Sequence, residues 1–132
     1  MSYTIHDAIE TLRHLEAAEG RAHQMAYGQD MVLGDNIWRC AMDLWERIDR
    51  IVSRLRDWPM GHVNEMTLKL IREDVAPAVY LADSLADQCR AGAGHAEDHP
   101  LHKGAMLAHG ISEDLRKAID GAQLELFRGG QR

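Results

Sequence analysis

Between Cys89 and His102 the chain sets one thiol and three imidazoles, those of His95, His99 and His102. Thiolate and neutral imidazole are ligands that zinc prefers, and four of them close a tetrahedral structural site. Cys89, His95, His99 and His102 are therefore the metal candidates, with zinc as the ion they would hold. The spacing argues against that set. Two glycines precede His95 and Pro100 follows His99, so only a folded loop could converge the four, and no common zinc module has this spacing. The simpler expectation is that "GHAEDHPLH" is a solvated connection that caps its neighbouring helices and takes no cofactor. A di-metal carboxylate bundle is excluded more firmly. It needs Glu-x-x-His on two helices, because that step puts both ligands on one face, and no glutamate here has a histidine three residues later.

Catalysis offers one alternative. The run from Arg90 through Ala-Gly-Ala-Gly to His95 is similar to the Arg-x4–6-His pattern of HEPN-class ribonucleases, which are small, helical and metal-independent. The resemblance implies that Arg90 steadies phosphate charge while His95 transfers a proton. Arg56 and His62 fit the same pattern. It rests on two residues and a loose gap, and Ala91 stands where that class commonly carries a polar residue. Further along, His102, Met106, His109 and Glu113 share one helical flank, with His109 placed to pair with Glu113. No Gly-rich phosphate loop, nucleophile elbow, H-E-x-x-H motif or dinucleotide fingerprint is present. The balance is against an enzyme.

These residues need a scaffold, and the composition indicates which kind. With 132 residues, 45% of them hydrophobic, the chain has length and apolar content for one core, so residues 1–132 are read as a single domain. Aromatic residues make up only 5%, and β-branched ones are sparse beside Ala, Leu, Glu, Arg and Met, which favours helix. The net charge of −6 argues against nucleic acid or anionic membrane as partner, since both attract basic surfaces. Cys40 and Cys89 form no C-x-x-C pair and suit free thiols in a reducing compartment. No basic leader or membrane-length apolar run is seen, so the expected location is cytoplasmic.

Four helical segments follow from apolar periodicity. The first opens at Thr4 as cap and carries Ile5, Ala8, Ile9, Leu12, Leu15, Ala22 and Ala26 on one stripe, with Gly20 as a weak point. The second, capped by Asp35, has the clearest signal: Ile37, Ala41, Leu44, Ile48, Ile51, Leu55 and Trp58 alternate steps of four and three, a heptad pattern. Trp38, Trp45 and Val52 form a second stripe one position on. A face of that width usually meets two neighbours. The third segment runs from about Asn64 to Arg90, with Leu70, Ile71, Val75, Ala78, Ala82, Leu85 and Cys89 inward. Pro77 lies inside it, and because proline lacks an N–H and crowds the preceding turn, a kink or break is expected there. The fourth starts at Pro100 and faces Leu101, Ala105, Ala108, Ile111, Leu115, Ala118, Ile119, Ala122 and Leu126 inward.

The expected architecture is all-α: a four-helix, up-down-up-down antiparallel bundle with its third helix kinked or broken near Pro77. Helix two carries five arginines, but Asp35, Asp43 and Glu46 each stand four residues before one, so the face is expected to neutralise itself with intrahelical pairs. What remains is apolar width. Trp38, Trp45 and Val52 are the candidate interface, and the functional expectation is a small protein-binding or regulatory module acting as a homodimer. The competing expectation is a histidine-dependent enzyme or metal-binding bundle built on His95 to His109.

Overall fold

Apolar steps of three and four residues bring one stripe of a helix to the same side, and burying that stripe requires neighbours. A computed structural model describes residues 5–28, 33–57, 65–95 and 99–130. They form four α-helices, α1 (Ile5–Tyr27), α2 (Asp35–Asp57), α3 (Glu65–Ala93) and α4 (Leu101–Gly130), with no strand among the described residues. The fold class is all-α, as the sequence indicates. Helix α1 touches α2 and α4, α3 touches the same two, and neither diagonal pair is in contact among the described residues. Paired residues occur in reversed order along consecutive helices. Glu16, His23 and Ala26 of α1 meet Arg56, Trp45 and Trp38 of α2. Arg54 and Cys40 of α2 meet Asp74 and Gln88 of α3. Asp83 of α3 meets Arg116 of α4, and Gly92 lies against Leu101.

The heptad positions of α2 go where their spacing sends them: Ala41, Leu44, Ile48, Ile51 and Leu55 are all buried, and Ile37 is half-buried. Trp58, the last expected member, lies outside the described residues, as does Thr4. Helix α1 corrects one expectation. Its buried stripe is Thr11, Leu15, Ala18, Ala22 and Met25, whereas Ile9 is 38% exposed. Ile9 precedes Leu15 by six residues, about 240° around a helix, which takes it off the core face. Helix α3 is continuous through Pro77, so of the expected kink or break the break does not occur. Pro77 and Glu73, whose carbonyl loses its donor to the proline, are both exposed, and water can replace the missing N–H.

Buried alanines are most numerous on α3 and α4. Ala78, Ala82, Ala86 and Ala93 on α3, with Ala105, Ala108 and Ala118 on α4, are buried, and these two helices share the most extensive contact in the bundle. Small side chains let helix axes come near the short end of the usual ~8–10 Å range. The α2–α3 contact is the least extensive. Leu44, Ile48, Leu85, Ile111 and Leu115 fill the centre. Among the described residues, no helix is long and apolar enough to cross a membrane.

Candidate functional site

The histidine-rich connection is built as a pair of helix caps. Gly94 ends α3 with a φ of 60°, a conformation that costs a residue with a Cβ more than it costs glycine, and its N–H donates to the Arg90 carbonyl at 3.0 Å. At the other side, the Leu101 N–H donates to Nδ1 of His99 at 3.1 Å. The His99 carbonyl meanwhile accepts from His102 N–H at 3.0 Å, and that of Pro100 from Lys103 N–H at 3.2 Å. His99 is thus the N-cap of α4, with imidazole in the role usually taken by Ser, Asp or Asn. The ring nitrogen is an acceptor here, so the ring proton sits on Nε2.

That geometry does not assemble the zinc set. Cys89 is fully buried in the core, His95 is exposed on the turn, and His99 has spent one nitrogen on its own backbone. No three His, Cys, Asp or Glu side chains among the described residues gather as a metal-binding group, so Cys89, His95, His99 and His102 do not form a centre. Burial pushes the Cys89 thiol up, away from the thiolate that zinc requires. Both cysteines are free. The ribonuclease alternative gains nothing either. Arg90 turns to Asp87 at 3.2 Å along its own helix, and His95 is exposed. His62 lies outside the described residues, and its companion Arg56 binds Glu16. His109 does pair with Glu113, at 3.0 Å, on an open flank.

The arginines of α2 depart from their expected pattern. Asp43 and Arg47 pair within the helix at 3.3 Å, but Asp35–Arg39 and Glu46–Arg50 are not among the ion pairs of the described residues. Arg54 instead reaches Asp74 of α3 at 2.6 Å, and Arg56 reaches Glu16 of α1. A shallow cleft of about 360 Å³ lies over this side of α2, where Arg47, Arg50 and Arg54 are matched by Asp49, Asp57 and Asp74. Its charges balance, which leaves no net field to draw an ionic substrate.

The remaining feature is the edge where α1 meets α2. Of the three residues expected to form an interface, Val52 is fully buried and belongs to the core, a correction that follows from its position between Ile51 and Leu55 on the inward side. Trp45 is half-buried and packed on the core. Trp38 keeps 43% of its surface exposed, and its Nε1–H donates to the Ala26 carbonyl at 2.9 Å. Two residues of α1 complete the group. Tyr27, 49% exposed, meets Trp45 edge-on at 5.4 Å between ring centres, and His23 lies 4.8 Å from Tyr27 and 5.8 Å from Trp45. Edge-on and tilted ring contacts of this kind are favourable packing arrangements, and Tyr27 and Trp38 keep much of their surface in water. The sequence signal for α1's share was present but weak: Glu16, Glu19, His23 and Tyr27 recur at steps of three and four on the flank facing α2.

One turn along the same edge the chemistry changes sign. Glu19 of α1 and Asp49 of α2, both half-buried, lie within hydrogen-bonding reach. Partial burial, a hydrogen bond to Asp49 and the Asp49 charge push the Glu19 carboxyl up, while Arg56 pulls it down. A turn further, Glu16 takes the Arg56 guanidinium, which holds the arginine proton more firmly. Along this edge the aromatic group gives way to three carboxylates gathered around Arg56. Compared with family models, curated proteins and solved structures, the chain matches none.

Proposed function

We propose that this chain is a helical protein-binding module whose contact surface is the aromatic end of the α1–α2 edge. The observation that carries the reading is the exposure of Tyr27 and Trp38, each with more than two-fifths of its surface in water, Tyr27 packed on Trp45 and His23 and Trp38 tied to the neighbouring Ala26 carbonyl. Tyr and Trp are the residues that most often anchor interfaces, because they bury large areas at little entropic cost. Isolated exposed apolar residues mean little. Tyr27 in a cluster of three rings, with Trp38 hydrogen-bonded to the adjacent Ala26 carbonyl, is a different case.

The homodimer expected from helix two rested on a face wider than one bundle was expected to use. Val52 and most of Trp45 are used inside one chain, which removes that support. Self-association remains the competing form of the same binding. Immobilised wild type, Tyr27→Ser and His95→Ala should separate the readings, with bound proteins quantified and native mass measured in parallel. We expect a stoichiometric partner on wild type and His95→Ala and its loss with Tyr27→Ser. Loss with His95→Ala and retention with Tyr27→Ser would move the function to the α3–α4 connection and refute the reading.

A further inference from the structure

The group that caps α4 is one that a proton disables. We propose that His99 makes the start of α4 acid-sensitive, holding its first turn when the ring is neutral and releasing it when the ring is protonated. The inference is independent of the α1–α2 surface. Nδ1 of His99 accepts the Leu101 N–H at 3.1 Å, so that nitrogen must keep its lone pair. An imidazolium carries a hydrogen on both nitrogens and accepts nothing. Serine or asparagine would keep its acceptor at any physiological pH, whereas histidine changes charge between about pH 5 and 8.

The surroundings add to the response. Protonation also sets a positive charge at the positive end of the helix dipole, which repels it. The first turn of α4 holds no acid to offset that charge, and His102 and Lys103 stand beside the cap in sequence. Helix α2, by contrast, begins with Asp35. Helix α3 packs against this end, Gly92 on Leu101, and brings Arg90, held by Asp87 at 3.2 Å, and then the exposed His95 of the turn. Helix α1 brings Arg21 to Gly110 and Asp114, about three turns further along, and α2 does not touch α4 among the described residues. Glu97 and Asp98 lie outside the described residues. Leu101, buried against Gly92, follows the cap by two residues, so loosening the turn loosens a core side chain with it. The capped turn takes only the neutral ring. Its contribution is therefore complete at high pH and is lost as pH falls through the imidazole range, opposite in sign to that of the Glu19 carboxyl.

Amide exchange of the full chain, read residue by residue between about pH 8 and about pH 5 and corrected for the intrinsic rate, tests this. Nitrogen-15 shifts of the His99 ring are followed alongside. In wild type, protection of the Leu101, His102 and Lys103 amides should fall about tenfold as the ring takes up its proton. The Trp38 amide, which donates to the Gly34 carbonyl at 2.8 Å in the first turn of α2, should keep its protection. His99→Asn, which caps without titrating, should be flat across the range. His102→Gln, which removes the neighbouring imidazole and keeps the cap, should respond as wild type does.

A flat profile in wild type overturns the inference, as does a fall in His99→Asn equal to that of wild type. Loss of the response in His102→Gln would assign it to His102 and overturn the inference as well. An equal fall at Trp38 would mean that acid loosens the whole bundle, and that too counts against the cap. None of these results bears on the α1–α2 surface, so the protein-binding reading stands or falls separately.

Discussion

His99 shows how a residue with catalytic and metal-binding credentials can be used for backbone chemistry alone. Its Nδ1 accepts the Leu101 N–H, one of the donors that the first turn of α4 leaves without an intrahelical partner. The sequence pointed to a capping loop here because Pro100 suits a first helical position, but nothing in the letters says which ring nitrogen does the capping. Replacing the acceptor tests the role. His99→Ala should lower the unfolding free energy by about 1 kcal/mol, and His99→Asn should restore most of it, because asparagine is among the best N-caps. Urea denaturation gives both numbers. Zinc at equimolar concentration should leave the wild-type midpoint unchanged; a zinc-dependent rise lost in His99→Asn would contradict the capping account.

At the scale of elements, the letters revealed what depends on one helix and concealed what depends on two. The step pattern of α2 placed Ala41, Leu44, Ile48, Ile51 and Leu55 inside from periodicity alone. The destinations of Arg54 and Arg56 could not be read, because Asp74 and Glu16 become neighbours only once helices are packed. Gly110 is another case. A Cβ there would come 2.9 Å from Nε of Arg21, which crosses it to reach the nearly buried Asp114 on the next turn. Packing between α3 and α4 carries a sharper prediction. Ala108 is fully buried where alanines line both helices, so Ala108→Leu should overpack the contact. A loss of about 2–3 kcal/mol is expected in thermal or urea unfolding. A neutral result would mean that the helices are further apart than the alanine stripes imply.

Over the whole molecule, each of the four helix contacts carries a cross-helix ion pair. Arg56–Glu16 joins α1 to α2, Arg54–Asp74 joins α2 to α3, Arg116–Asp83 joins α3 to α4, and Arg21–Asp114 joins α4 to α1. Ser112, buried at the α3–α4 contact, donates to Asp83 at 2.5 Å and accepts from Arg116 at 3.2 Å. The three half-exposed pairs, those of Arg56, Arg54 and Arg116, contribute at most about 1 kcal/mol each, so they fix which helices are neighbours more than how tightly they hold. Glu19, half-buried beside Asp49 with Arg56 as the nearby cation, gives a distinctive pH response, set first by its burial. Its folded-state carboxyl holds its proton above the ordinary value of 4.5, so the stability from the shared proton is complete below that value and is lost as pH rises through the elevated one. Glu19→Gln removes the repulsion. The variant should match wild type near pH ~4 and exceed it near pH ~7 by about 0.5 kcal/mol, the scale of a half-exposed charge pair. Thermal unfolding at both values checks the sign.

The fold class was legible because four amphipathic periods leave few packings; of the proposed contact surface, Trp38 and Trp45 were legible on α2, whereas Tyr27 and His23 were not, because they join it from another helix across a loop. Its existence is the claim on which the functional account turns. The most direct measurement is a map of amide and indole chemical shifts on adding the partner that the immobilised wild type retains. The account predicts that the largest changes fall on the Trp38 indole and on the amides of residues 19–27 and 38–49, with residues 90–109 undisturbed. Changes centred on His95 to His109, or none at the Trp38 indole, would contradict it.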